Sequence, residues 1–385
     1  MPSAPYELRL ESRVEPGPSV YEFRTADGVV SKDEFRTAEL ALLEATEPDP
    51  GADVLAADAN YGVVPTILAH LSPEGETVAT ETSARAARLC ERNCRANDAP
   101  VRVELVADVA DVTGEFDLAA YAPRPYDPIA VGKDRVADAL AALRSGGRLF
   151  VAADRNAGAD RYREAMVEVA DGRVEGVAKH GDCRVYRAER PPDGSLGRSE
   201  YVQSHAFAAT VAGVDCEFVT RPGLFSPRSV DDGTALLAET ALSDTDLAPD
   251  DHLLDPACGY GPLGIAAARR TGCAVTMTDD DRVATACAEE SAARSGVDPR
   301  IVTADCLRGV DGPFDAALSN PPTHAGEGVT RELFSGTADA LRPGGELWLV
   351  YNETMRYEDD LPDLGFSSAE VVRRAEGYAV TVARR

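Results

Sequence analysis

Lysine, tryptophan and long apolar runs are scarce in this sequence of 385 residues. Lysine occurs only at positions 32, 133 and 179, so nearly all of the 39 cationic side chains are arginines. No apolar stretch approaches the ~20 residues of a membrane-spanning helix. The opening segment also lacks the apolar core of a signal peptide. We therefore expect a soluble cytoplasmic protein with no membrane partner.

Patterns for metal binding and for disulfide frameworks are absent as well. The eight cysteines are scattered without any Cys-x-x-Cys pair, and the five histidines show no ligand spacing. We expect buried, reduced thiols and no bound metal. The cysteines are residues 90, 94, 183, 216, 258, 273, 287 and 306, and the histidines are residues 70, 180, 205, 252 and 324.

Acidic residues dominate the charge. The chain has 66 Asp and Glu against 39 Lys and Arg, for a net charge of -27 and a pI of about 4.5. This composition resembles that of proteins from salt-loving archaea. At low salt such a surface repels phosphate, but in molar salt the Debye length shrinks to about 3 Å. The acidity therefore argues only weakly against a nucleic-acid substrate.

An internal repeat organises the chain. Each half contains, in the same order, an apolar strand followed by a Tyr-Gly turn, a strand ending on an acid, a Phe-Asp strand and a Leu-Arg-x-Gly-Gly strand. Gly261 follows Gly62 by 199 residues, and Phe314 follows Phe116 by 198. So constant an offset indicates a duplication.

The repeat predicts the fold class and the domains. Strands that alternate with helical patterns at this spacing indicate two tandem α/β domains of the doubly wound, Rossmann-like kind. The Pro- and Gly-rich stretch between the halves is the expected linker. We place the first domain at 1–190, the linker at 191–200 and the second domain at 201–385. Asp231 or Asp232 is expected to cap the first helix of the second domain.

A glycine turn in the second half predicts a nucleotide-type cofactor. Gly259, Gly261 and Gly264 satisfy G-x-G-x-x-G between an apolar strand and a helical run, a context that lets backbone approach a ligand. Asp279 follows Gly261 by 18 residues, near the spacing of a carboxylate that binds ribose hydroxyls. The spacing indicates an adenosine-containing cofactor and leaves open a dinucleotide or S-adenosylmethionine.

A second feature is the strand that ends in Ser-Asn-Pro-Pro at 319–322. In an open α/β sheet, ligands bind beyond the carboxyl ends of the strands, so Asn320 is expected at the crevice. Proline lacks N–H, and we expect Pro321 and Pro322 to leave carbonyls free to accept. A carboxamide oxygen with a backbone carbonyl can hold an exocyclic amine toward a methyl sulfonium.

These motifs resemble those of known enzymes. Asp255 with the glycine turn resembles the first motif of class I S-adenosylmethionine-dependent methyltransferases. Asn-Pro-Pro followed by an aromatic is the signature of methyltransferases acting on amino nitrogens of bases or of glutamine, although Thr323 stands here at the aromatic position. Five stretches, in order, resemble the RsmC-type small-subunit rRNA guanine-N2 methyltransferases, whose first half is also a decayed methyltransferase-like domain. These stretches begin at 225, 253, 319, 341 and 364.

The resemblance implies roles for individual residues. The catalytic set would be Asn320, Pro321, Pro322 and His324. Phe225, Arg228 and Thr323 would contact the substrate, which is rRNA or the small ribosomal subunit. The S-adenosylmethionine site would contain Asp255, Ala257, Gly259, Gly261, Asp279, Asp280, Asp305 and Asn320.

The first half has lost this set at the matched positions. Asp255 corresponds to Ala56, Gly259 to Asn60 and Asn320-Pro321-Pro322 to 122–124, which reads Ala-Pro-Arg. Glu81 is a possible ribose acid, but a surface position is the favoured interpretation. Arg124 and Tyr126 are candidate RNA contacts. A group of five arginines could also contact phosphates, but a solvated helix surface is the favoured interpretation of that group, which we call the arginine face. That face comprises Arg85, Arg88, Arg92, Arg95 and Arg102.

Other functions stay open at this point. A methyltransferase of protein glutamine or of adenine in DNA or RNA would use the same Asn-Pro-Pro chemistry. An inactive RNA-binding or ribosome-assembly protein would account for Thr323. An NAD-dependent dehydrogenase would use the glycine turn and Asp279, but it gives no reason for Asn320 and the two prolines.

Overall fold

A computed structural model describes residues 6–13, 15–192, 196–197, 200–245 and 247–385. The described residues up to Gln203 form one compact unit, and those from Ser204 to Arg385 form another. Within the predicted linker, residues 193–195, 198 and 199 lie outside the described residues. No helix in the described part of the chain is long and apolar enough to cross a membrane.

The first unit contains a two-stranded hairpin and a seven-stranded sheet of order β5-β4-β3-β6-β7-β9-β8. The first five of these strands run parallel, and β8 and β9 are antiparallel additions at one edge. The elements are β1 (Tyr6–Glu11), β2 (Val20–Thr25), α1 (Thr37–Ala45), β3 (Val54–Ala57), α2 (Val63–Leu71), β4 (Thr77–Glu81), α3 (Ala84–Ala96), β5 (Val101–Leu105), β6 (Phe116–Tyr121), α4 (Ile129–Ala141), β7 (Leu143–Asp154), α5 (Ala159–Val169), β8 (Val174–His180) and β9 (Cys183–Glu189).

The second unit repeats this plan, with a sheet of order β14-β13-β12-β15-β16-β18-β17. Two 3₁₀ turns, Tyr357–Asp359 and Leu361–Leu364, stand where the first unit has α5. The elements are β10 (His205–Val211), β11 (Val214–Thr220), α6 (Asp232–Asp244), β12 (His252–Pro256), α7 (Pro262–Thr271), β13 (Ala274–Asp279), α8 (Arg282–Ser295), β14 (Arg300–Thr303), β15 (Phe314–Ser319), α9 (Glu327–Ala340), β16 (Leu341–Asn352), β17 (Ser368–Ala375) and β18 (Tyr378–Arg384).

Both faces of each sheet are buried, which explains the continuous apolar strands. In β12, Leu253 and Leu254 are both fully buried, but they belong to different apolar clusters, because successive side chains point to opposite faces. Leu253 packs with α6 and α7, and Leu254 packs with α9. The predicted fold class, two tandem doubly wound α/β domains, is confirmed.

The topology fixes where a ligand can bind. Along the sheet of the second unit, β12 lies between β13 and β15, and the chain order reverses direction at this point. Such a reversal leaves a crevice beyond the carboxyl ends of the two central strands. The glycine turn follows β12 and the Asn-Pro-Pro loop follows β15, so the fold brings the two predicted motifs together.

The cysteines form no disulfide in the described structure. Seven of them are buried and Cys306 is half-buried. Their positions are those of small apolar side chains in the two cores.

Candidate active site

A cavity of about 300 Å³ opens at the carboxyl end of the second sheet. The glycine turn, the end of β13, the Asn-Pro-Pro loop and the segment before α6 enclose it. A pocket of this size with a mostly apolar lining and a few polar groups is typical of small-ligand sites. Nine of the predicted site residues line it: Phe225, Ala257, Gly259, Asp279, Asn320, Pro321, Pro322, Thr323 and His324.

The glycine turn has left-handed backbone at three positions. Ala257 has φ +64°, Gly259 has φ +57° and Gly261, the N-cap of α7, has φ +92°. A Cβ at Gly264 would collide with the Met277 sulfur, so glycine there allows the helix to pack closely on β13. In contrast, a Cβ at Gly259 would meet nothing within 4 Å. The space in front of this residue is therefore open to a ligand.

Asp279 stands at the end of β13 and fixes the turn. Its Oδ2 accepts the Gly259 N–H at 2.8 Å, and its Oδ1 accepts the Asp281 N–H at 3.0 Å. Burial raises the pKa of Asp279 to about 7, and the nearby charges of Asp281 and Asp280 add to the rise. Each carboxylate oxygen keeps a second acceptor position for a ligand hydroxyl.

Asp255 lies beneath the turn rather than in the cavity wall. It is fully buried, and its Oδ2 accepts the Gly264 N–H in the first turn of α7 at 2.8 Å. Its Oδ1 has no hydrogen-bond partner among the described residues. Burial raises the pKa of Asp255 to about 7. A cationic ligand group nearby would stabilise the ionised form.

Asn320 is held in one orientation from behind. Its Nδ2 donates to Thr234 Oγ1 at 2.9 Å and faces Asp231 Oδ2 at 3.4 Å. Asp231 is the N-cap of α6, and the same Oδ2 accepts the Thr234 N–H at 3.1 Å. Because a carboxylate only accepts hydrogen bonds, the amide nitrogen must face it. This leaves Oδ1 as the acceptor that Asn320 offers at the cavity.

The two prolines depart from expectation in one respect. Both line the cavity. The prediction that their carbonyls are free, which rested on the lack of N–H groups, is wrong because each carbonyl already accepts a hydrogen bond. The Pro321 oxygen accepts the Thr323 N–H at 2.9 Å, and the Pro322 oxygen accepts the Ala325 N–H at 3.0 Å. The loop closes these turns itself, using N–H groups that follow the prolines. A second lone pair on each carbonyl is still available.

Other predicted residues do not line the cavity: Gly261, Asp255, Asp280, Asp305 and Arg228. Asp305 is buried just beyond β14 and accepts from Arg308 Nε at 3.2 Å. Its ligand atom lies within 4.8 Å of those of Cys306 and Glu332, a spacing that a metal ion also uses. Arg308 already places a positive charge at this carboxylate. The cofactor roles of Gly261, Asp255, Asp280 and Asp305 and the substrate contact of Arg228 stay predictions.

Several cavity residues were missed by the sequence reasoning. Asp231 was recognised only as a possible helix cap, and Thr234, Tyr260 and Asp281 were not singled out. Asp231 lies 89 residues before Asn320, and nothing in the local pattern links the two. The N-cap position of Asp281, whose side chain accepts the Val283 N–H at 2.9 Å, was the one available signal for that residue.

At the matched positions of the first unit, the side chains bond to other groups of the same unit. Asn60 takes the left-handed conformation of Gly259, with φ +52°, and its N–H donates to Glu81 at 2.8 Å. The Asn60 side chain exchanges hydrogen bonds with the backbone of Val30. Arg124 forms an ion pair with Glu81, which is fully buried, so the favoured surface interpretation of Glu81 was wrong. Arg124 itself is almost buried.

The predicted arginine face is smaller than the sequence indicated. Arg85 is buried and donates to the Asp27 carbonyl at 3.2 Å. Arg102 is paired with Glu76 and Glu104. Three arginines of α3 remain at the surface to different degrees: Arg88, Arg92 and Arg95.

Strand order, glycine turn and cavity together define a class I methyltransferase fold. A family model described as the methyltransferase small domain matches residues 20–187 and, a second time, residues 215–382. The chain belongs to this family, and both halves are copies of its domain. The prediction of a methyltransferase from a duplicated ancestor is therefore confirmed.

Individual proteins that are similar to this chain include rRNA methyltransferases. The ribosomal RNA small subunit methyltransferase C of Pseudomonas aeruginosa is 29% identical over 257 residues, which cover 66% of this chain and 75% of that protein. The protein of the same description from Alcanivorax borkumensis is 32% identical over 228 residues, which cover 58% of this chain and 66% of that protein. A solved structure, the T. Thermophilus 16S rRNA N2 G1207 methyltransferase (RsmC) in complex with AdoMet and guanosine, is 26% identical, with a TM-score of 0.79 and 98% of both chains covered.

Proposed function

We propose that this protein transfers the methyl group of S-adenosylmethionine to the exocyclic N2 amine of a guanine in small-subunit ribosomal RNA. The observation that carries the proposal is the fixed amide of Asn320, whose oxygen is the acceptor offered at the cavity that Gly259 and Asp279 also line. The relatives named for small-subunit rRNA methylation, and the similar structure with AdoMet and guanosine, support the choice of donor and of base.

The residues present fit an adenosine-containing sulfonium donor. Gly259 leaves open space before a left-handed turn, and Asp279 beside it offers acceptor positions for ribose hydroxyls. The buried Asp255 oxygen without a partner is an acceptor and a negative charge close to the first turn of α7. When bound, S-adenosylmethionine supplies an electrophilic methyl group on a positively charged sulfur. Asp255, Gly259 and Asp279 would hold that molecule.

Asn320 would hold the acceptor amine. The guanine N2 amine is a hydrogen-bond donor, and the Asn320 Oδ1 and the second lone pair of the Pro321 carbonyl are acceptors. With its hydrogens directed at these oxygens, the nitrogen presents its lone pair away from them. Positioning of this kind, rather than a strong base, lowers the barrier to in-line transfer. The partly apolar cavity wall would also exclude water from the reacting atoms.

The test compares rRNA from cells with and without the protein. Small-subunit rRNA is digested to nucleosides, and mass spectrometry measures N2-methylguanosine. We expect one such residue per rRNA to disappear with the protein and to return when purified protein and S-adenosylmethionine are added to the undermethylated RNA. Both naked rRNA and isolated subunits are used as substrates, which also identifies the preferred one.

Other outcomes would assign a different function. Loss of a methylated adenine, or of a methylated glutamine in a protein, would show that the protein methylates that amino group instead of guanine. No change in any methylated group would favour an inactive RNA-binding or assembly protein. Either result would contradict the guanine assignment.

A further inference from the structure

An exposed phenylalanine ring borders the catalytic cavity. Phe225 is 63% exposed, although phenylalanine is usually buried. Six large apolar side chains are exposed among the described residues, and Phe225 alone among them lines this cavity. The others are Val20, Tyr126, Val177, Met355 and Val372.

The loop that carries Phe225 is anchored on both sides of it. Before the loop, the buried Thr220 donates from Oγ1 to the Pro227 carbonyl at 2.6 Å. After it, Tyr260 donates from its hydroxyl to the Ser229 carbonyl at 3.1 Å, and Ser226 donates to the same oxygen at 2.7 Å. These hydrogen bonds hold the backbone of the loop that keeps the ring exposed at the cavity.

Among the other side chains of the cavity, His324 also carries an exposed ring, which is smaller and more polar than that of Phe225. Thr323 occupies the position after Asn-Pro-Pro where an aromatic residue is expected. Tyr260 is 3% exposed and packs edge-on against Phe218 and Phe207, with ring centroids 5.5 and 6.0 Å away. No lysine or arginine lines the described cavity, so no cationic side chain stacks on a base there. Binding of a flat base in such a site depends on stacking.

We propose that Phe225 is the stacking surface for the target guanine and takes the place of the aromatic residue that Thr323 replaces. The inference rests on the proposed function and adds to it the residue that positions the base. It makes Phe225 a substrate-positioning residue, with no part in holding the methyl donor. Phe225 and Asn320 would then contact the base on its face and on its edge, respectively.

The experiment measures single-turnover methylation of undermethylated rRNA, guanosine binding by calorimetry in the presence of S-adenosylhomocysteine, and binding of S-adenosylmethionine. For Phe225→Ala we expect kcat/KM and guanosine affinity to fall by about 5- to 150-fold, the range that base–aromatic stacking corresponds to. Affinity for S-adenosylmethionine and the melting temperature should stay at the wild-type values, because the side chain is exposed. Phe225→Trp should keep wild-type activity.

Rescue separates stacking from a structural role. A double variant, Phe225→Ala with Thr323→Phe, should regain guanosine affinity, because it places a ring at another position of the cavity lining. Val372→Ala removes another exposed apolar side chain of the same unit, 40% exposed, and should change none of the three measurements.

Different failures are distinguishable. If the wild-type protein methylates rRNA guanine and Phe225→Ala does so equally well, this inference is wrong while the proposed function stands. A loss of guanosine affinity in His324→Ala but not in Phe225→Ala would also overturn it, because the histidine would then be the stacking group. If wild-type protein methylates no guanine, the proposed function fails and this inference fails with it.

Discussion

The two units show how one fold can keep a ligand cavity or close it. Both contain the same left-handed turn after the first parallel strand and the same hydrogen bond from that turn to an acid on the next strand. In the second unit Gly259 leaves the space in front of the turn open. In the first unit the Asn60 side chain bonds to Val30, and Arg124 neutralises Glu81. The two sites differ in their side chains, while the left-handed turn and its hydrogen bond to an acid were retained.

The comparison also separates two uses of a buried or partly buried acid. Glu81 is paired inside the protein, so its charge is satisfied without a ligand. Asp279 accepts only backbone N–H groups, and Asp255 accepts one, so both keep acceptor positions. Buried carboxylates without a cation near them are energetically unfavourable and mark functional sites. The contrast predicts that equivalent substitutions will affect stability in the first unit and ligand binding in the second.

Breaking the first unit's internal ion pair should give the largest effect. Arg124→Ala leaves the fully buried Glu81 uncompensated, and we expect the unfolding free energy of this unit to fall by about 3 to 5 kcal/mol. Chemical denaturation measures it. Binding of S-adenosylmethionine by the second unit should be unchanged at temperatures where both units are folded. A loss of cofactor affinity with unchanged stability would show that the first unit has kept a donor site.

Removing the oriented amide should abolish most of the activity. For Asn320→Ala we expect kcat to fall at least about 100-fold, because the amine is no longer positioned. Affinity for S-adenosylmethionine, measured by calorimetry, should change little. Asn352→Ala, at an exposed asparagine of the same unit, is the control. Near-normal turnover of Asn320→Ala would show that another group holds the amine.

Substitution of the acid on β13 should act on the cofactor. For Asp279→Asn we expect the affinity for S-adenosylmethionine to fall by about 10- to 100-fold, since hydrogen bonds to charged groups contribute roughly 1.5 to 3 kcal/mol. The matched substitution in the first unit, Glu81→Gln, should leave that affinity unchanged. Equal losses in both variants would mean that the two units share the donor.

Acidification should give the most gradual change. Asp255 and Asp279 have pKa values raised to about 7, and the ionised forms are those that accept from ribose or attract a cation. Affinity for S-adenosylmethionine should therefore fall as the pH drops below 7, by at most about tenfold per pH unit for each group. The free energy of unfolding of the unliganded second unit should instead increase as the pH drops. Because the raised pKa values favour the protonated folded state, their contribution to stability is present near pH 4 and is lost as the pH rises through 7.

Calorimetric titrations and thermal melts between pH 5 and 8 would test both trends. Asp279→Asn should flatten part of each curve, because it removes one of the two titrating groups. An affinity for S-adenosylmethionine that does not change across this range would contradict the proposed role of these carboxylates.

The sequence predicted the fold and the cavity motifs because both are local patterns repeated at a fixed offset. Gly259, Asp279 and Asn320 lie at the ends of strands, and strand ends of a parallel sheet meet at one edge. The partnership of Asp231 with Asn320 and that of Glu81 with Arg124 were not predictable in this way. Each joins residues far apart in the chain, and only the folded sheet shows which polar groups face each other. Glu81 and Arg124 were accordingly assigned to the surface or to RNA.

The left-handed turn at Asn60 has an evolutionary consequence. Asparagine adopts this backbone conformation more readily than most residues, so it can follow glycine there without reshaping the chain. A duplicated enzyme can thus change the side chains around one of its two binding turns while the scaffold around that turn continues to fold. The changed copy is then free to diverge at its surface, without the constraint of holding a reactive small molecule.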